Sequence, residues 1–69
     1  MKIDIVRGED WEVLYIDGLK IIEGHRLTAG EIFLALHDLA PTDFDGPTVH
    51  ACSHLDLDDF PAELKDLYS

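Results

Sequence analysis

The chain has 69 residues, 46% of them hydrophobic, with fifteen acids against five bases and a formal net charge of −10. Such a length excludes more than one small domain, and such a composition excludes a disordered chain. The charge opposes direct contact with nucleic acid or an anionic membrane and favours a protein partner with a basic surface.

Residues 2–6, KIDIV, alternate Ile3 and Ile5 against Lys2 and Asp4, which predicts a first strand. RGED follows as turn chemistry. Asp17-Gly18 then sits between two β-rich runs and predicts a two-residue hairpin turn of type I′. Counting outward from it pairs Ile16 with Leu19, Tyr15 with Lys20, Leu14 with Ile21, Val13 with Ile22 and Glu12 with Glu23. Side chains alternate, so one face carries Leu14, Ile16, Leu19 and Ile21. The other carries Trp11, Val13, Tyr15, Lys20 and Ile22.

Thr28 with Glu31 three residues later is a capping box, and Leu27 and Ile32 occupy the staple positions around it. The helix they open has Ile32, Phe33, Ala35, Leu36, Leu39 and Ala40 along its apolar side, and Pro41 stops it. After the loop PTDFDGPT, residues 49–57 alternate as a strand. His50, Cys52, His54 and Asp56 point to one side of it, and Val49, Ala51, Ser53 and Leu55 to the other. Residues 58–68 read as a short closing helix, with Pro61 near its start and Phe60, Leu64 and Leu67 on its apolar side; Leu57 extends that side.

The order βββαβα describes one small α+β domain over residues 1–69. A right-handed crossover after the third strand allows the fourth to lie beside the first, in the order 3-2-1-4. Both helices are expected on the aliphatic face of this four-stranded, mostly antiparallel sheet. The opposite face is then left open, with Trp11, Val13, Tyr15, Ile22, His50, Cys52 and His54 as a binding surface. Self-association through that face is a second expectation, because a homodimer would give so short a chain more core.

His25, His50, Cys52 and His54 are the residues of metal-ligating type considered for a site. A strand rises about 3.3 Å per residue, so His50 and His54 stand about 13 Å apart along the backbone. Zinc–ligand bonds are only about 2.0–2.3 Å long. Neither C-x-x-C nor H-E-x-x-H spacing occurs. No metal and no cofactor are therefore expected, and metal binding by the His50/Cys52/His54 strand stands as the alternative reading. The same spacing separates Cys52 from a base, so no enzyme is expected. His25 reads as a turn residue, and His37 as a boundary residue of the helix.

Acidity is uneven. Residues 35–69 hold eight acids and only Lys65. Asp58, Asp59 and Glu63 suit the start of the closing helix, where acids complement the helix dipole. With Asp43, Asp45, Asp56 and Asp66 they form a candidate acidic surface. Held on a rigid scaffold, such a surface can occupy the nucleic-acid groove of a partner. A single cysteine permits no internal disulfide. No run approaches the ~20 apolar residues of a bilayer span, and MKIDIVRGED lacks the apolar core of a secretory leader. The expectation is a cytoplasmic, non-enzymatic binding protein that inhibits or regulates a protein partner.

The segment WEVLYIDGLKIIEGHRL, with Trp11, Leu14, Tyr15, Asp17, Gly18, Gly24 and His25 as its pattern, resembles a hairpin of small bacterial and phage proteins of similar length. The resemblance covers residues 11–27 and implies an accessory protein. It carries no activity and assigns no residue a role.

Overall fold

A computed structural model describes residues 1–39 and 45–67. Strands β1 (Lys2–Arg7), β2 (Glu12–Ile16) and β3 (Leu19–Gly24) are followed by helix α1 (Ala29–Leu39) and strand β4 (Asp45–Ala51). The sheet order is β3-β2-β1-β4, as expected. The pairs β1–β2 and β2–β3 are antiparallel, and β1–β4 is parallel.

The Asp17-Gly18 turn forms as its chemistry requires, with φ of 51° and 83°. Both values lie in the left-handed region that a type I′ turn demands. Beyond it, Ile16 pairs with Leu19 and Tyr15 with Lys20, but Leu14 pairs with Ile22. Ile21 is the extra residue of a β-bulge, which flips every later side chain of β3 to the other face. Ile22 thus belongs to the aliphatic side, packed against the cluster of Ile3, Leu14 and Ile16. This corrects its expected place beside Trp11. The bulge also removes the Glu12–Glu23 pair: Val13 now faces Glu23, and Glu12 faces Gly24.

Helix α1 covers the aliphatic face through Ile32, Ala35 and Leu36, joined by Leu27. Its capping box is made: Glu31 N donates to Thr28 Oγ1 and Thr28 Oγ1 donates to Glu31 Oε1, each at 3.2 Å. Phe33 does not face the sheet and is 75% exposed. A helix turns about 100° per residue, so burying Ile32 and Leu36 puts Phe33 at the side. The expected roles of Ala40, Pro41 and the side chains of Leu39 and Leu57 lie outside the described residues.

The closing helix is instead two 3-10 turns, Leu57–Asp59 and Leu64–Leu67, separated at Phe60 and Pro61. This segment does not join α1. It crosses the opposite face and packs Phe60, Leu64 and Leu67, with Leu55, over Val6, Val13 and Tyr15. Val6, Val13 and Tyr15 are fully buried. Burying a valine side chain contributes about 1.5–3 kcal/mol. A domain this small cannot forgo that on a whole sheet face, so the sheet becomes the middle of three layers.

The closing segment is tied down by polar contacts as well. Tyr15 OH donates to Pro61 O at 2.8 Å, and Lys20 Nζ to Phe60 O at 3.4 Å. Backbone bonds join Lys20 N to Ala62 O, Leu64 N to Gly18 O and Glu9 N to Leu55 O at 2.7–2.9 Å. The last of these runs past Gly8. A Cβ at Gly8 would lie 2.6 Å from Leu55 O and 2.9 Å from Phe60 Cζ, so only glycine admits so close an approach.

Candidate functional site

The expected open face does not form. Val13 and Tyr15 lie beneath the closing segment, and Trp11 and Cys52 are half-buried at its margin. Self-association through these side chains loses its surface for the same reason. The inference that His50 and Cys52 share this face with Trp11, Val13 and Tyr15 is met: His50 is paired with Val6, and Cys52 packs on the cluster of Val6, Val13 and Tyr15. Strand β4 stops at Ala51, one residue before Cys52. His54 falls in the following turn and is exposed, and Asp56 is exposed beyond it, so neither continues the row.

Under the closing segment lies a pair that the alternation of β1 concealed. Asp4 pairs with Tyr15 and is fully buried. Its Oδ1 meets His50 Nε2 at 2.8 Å, while its Oδ2 has no hydrogen-bond partner among the described residues. A buried carboxylate oxygen without a donor is costly. The pair therefore clasps β1 to β4 at one polar point in an otherwise apolar layer. The only available signal was the lone acid between Ile3 and Ile5, which reads equally well as solvent-facing.

Around Trp11 the contacts are polar and specific. Trp11 Nε1 donates to Glu23 Oε1 at 3.1 Å, and Lys20 Nζ meets Glu23 Oε2 at 2.9 Å. These contacts, Lys20 first, hold the Glu23 carboxyl below its ordinary range. Burial pushes the Tyr15 hydroxyl above its ordinary range, and the charge of Glu23 adds to the rise. Glu12 is held by Arg7 Nε and by the N–H of Leu27, each at 2.7 Å.

His25 sits edge-on to Trp11 with ring centroids 5.0 Å apart. Among the described residues, no three His, Cys, Asp or Glu side chains are grouped to hold a metal ion. No helix of the described residues is long and apolar enough to cross a membrane.

The acids of the closing segment turn outward. Asp56, Asp58, Asp59 and Asp66 are exposed and Glu63 is half-buried. Asp59 Oδ2 accepts from Asp56 N at 2.8 Å, and Glu63 meets Lys65 at 3.1 Å, which raises the lysine above its ordinary range. Asp43 and the side chain of Asp45 lie outside the described residues. No family model, no curated protein and no solved structure matches this chain. The function has to be read from these surfaces alone.

Proposed function

We propose that this protein is a small acidic, non-enzymatic binding protein that inhibits or regulates a protein partner by occupying its basic surface. The closing segment is the contact surface. The observation that carries this reading is its two-sidedness. Phe60, Leu64 and Leu67 pack inward while Asp56, Asp58, Asp59 and Asp66 are displayed outward. The acids therefore ride on a segment fixed to the sheet, and little chain entropy remains to be lost on binding. A charged face of this kind steers a basic partner and excludes acidic ones. Nucleic-acid mimicry is the specific form of the proposal, in which the occupied surface is the partner's nucleic-acid groove.

The test compares the immobilised chain with its D56N/D58N/D59N/D66N variant, each shown to be folded by circular dichroism. The native chain should retain a basic protein that rising salt releases, since screening shortens the reach of exposed charges. The variant should not retain it, and duplex DNA should compete if the nucleic-acid groove is the site. Equal retention by the variant, or retention indifferent to salt, would remove the closing segment as the contact surface.

A further inference from the structure

We propose that the cleft between the β1–β2 turn and the residues following β3 binds a free α-amino acid with an aromatic side chain. The cleft has a volume of about 510 Å³, within the range of about 300–1,000 Å³ usual for small-molecule sites. Both arginines of this acidic chain, Arg7 and Arg26, line it together with Trp11 and His25.

The charges there do not add up to an anion site. Three acids, Glu9, Asp10 and Glu12, share the cleft with the two arginines. Glu12 is held by Arg7 and by Leu27 N, and Asp10 lies 3.4 Å from His25 Nδ1, a contact that joins opposite charges only when the imidazole is protonated. Among the described residues, the lining charges with no polar partner at all are one guanidinium and one carboxylate. The side chains of Arg26 and Glu9 are exposed, and neither has an ion pair or hydrogen bond among the described residues. A ligand that answers both groups carries one carboxylate and one ammonium. Being neutral overall, it is also not turned away by the −10 charge of the chain.

Arg26 suits the carboxylate, because a guanidinium donates two parallel hydrogen bonds to a planar oxyanion. Glu9 suits the ammonium. The third element is an immobilised ring. Trp11 is held by its Nε1 bond to Glu23 and by the edge-on contact with His25. A fixed indole at the wall of a polar cleft favours an aromatic side group, which packs on it offset or edge to face.

Trp11 is the only tryptophan, so its fluorescence reports on this cleft alone. Titration with L-phenylalanine should give a saturable change. 3-Phenylpropionate, which lacks the ammonium, and phenethylamine, which lacks the carboxylate, should each bind at least about tenfold more weakly. Arg26→Gln should weaken phenylalanine and phenylpropionate by about tenfold and leave phenethylamine unchanged, and Glu9→Gln should do the reverse. Both positions are exposed, so the variants keep the fold, which circular dichroism checks. The proposal is overturned by the absence of a saturable change, by either singly charged analogue matching phenylalanine, or by variants that bind like the native chain.

Discussion

Adding one methyl group at Gly8 tests the three-layer arrangement directly. A Cβ there would stand 2.6 Å from Leu55 O, against 3.4 Å for ordinary contact, so the closing segment would have to retreat by about 0.8 Å. Leu55 O is backbone, and it accepts the Glu9 N–H at 2.8 Å, so it cannot move away without straining that bond. Losing the bond costs about 0.5–1.5 kcal/mol. Displacing the Phe60 ring adds an overpacking cost of about 1–3 kcal/mol. Alanine also restricts the unfolded chain, which works the other way by about 0.4–1 kcal/mol. The steric terms win, and Gly8→Ala should destabilise by about 2 kcal/mol. A domain of this size has only about 3–5 kcal/mol to lose. Urea unfolding followed by circular dichroism and Trp11 fluorescence should show a midpoint lowered by about 1 M or more. Gly24→Ala is the control, since nothing lies within 4 Å of a Cβ there. A Gly8→Ala midpoint equal to that of the control would mean that the closing segment does not dock as described.

Three further outcomes follow from single contacts. The Tyr15 hydroxyl is raised above its ordinary value of 10.0 by burial and by Glu23, so the unfolded chain loses this proton first as pH rises. The contribution of Tyr15 to stability should be complete below about pH 10 and lost as pH passes through the folded-state value. Tyr15→Phe should flatten that alkaline loss while costing about 1–3 kcal/mol at neutral pH, because Pro61 O is left without its donor; urea midpoints across pH measure both. His50→Ala should cost about 1–3 kcal/mol, since it strips the buried Asp4 Oδ1 of its imidazole partner. Adding Asp4→Asn should restore part of the loss, and equilibrium unfolding of the double variant decides it. Thr28→Ala should cost about 1 kcal/mol through the lost cap on the Glu31 N–H, read as a lower thermal midpoint.

The parts of the fold that were legible in the sequence are those decided by short-range chemistry. Asp17-Gly18 specifies a turn that few other pairs can make, and Thr28 with Glu31 specifies where α1 starts. The strand order 3-2-1-4 follows from hairpins and one crossover. The bulge was invisible because residues 21 and 22 are both isoleucine, so either one can serve the aliphatic face. The side taken by the closing segment was equally hidden. Both sheet faces are apolar, and the spacing of Phe60, Leu64 and Leu67 says that they pack without saying where. The candidate site suffered from that ambiguity more than the fold did. His50 and Cys52 were placed on the correct face, but the cover over that face removed Val13 and Tyr15 from the surface.

The concentration of acids in the last third takes on a different meaning once the third layer is seen. A segment that must bury Phe60, Leu64 and Leu67 needs polar residues between them to stay soluble, and any polar residue would serve. This segment uses Asp56, Asp58, Asp59, Glu63 and Asp66 with Lys65 alone in return. Like charges so close together repel, and that repulsion opposes the docking that Phe60 and Tyr15 provide. Solubility alone would favour a mixture of signs, which avoids the repulsion. An arrangement that retains it is at a disadvantage in isolation and is relieved when a cationic surface lies against the segment. Under the proposed function, the physical cost of the acids in the free chain would be the source of their affinity for a basic partner. That proposed contact would lie on the layer whose docking the Gly8, Phe60 and Tyr15 contacts control.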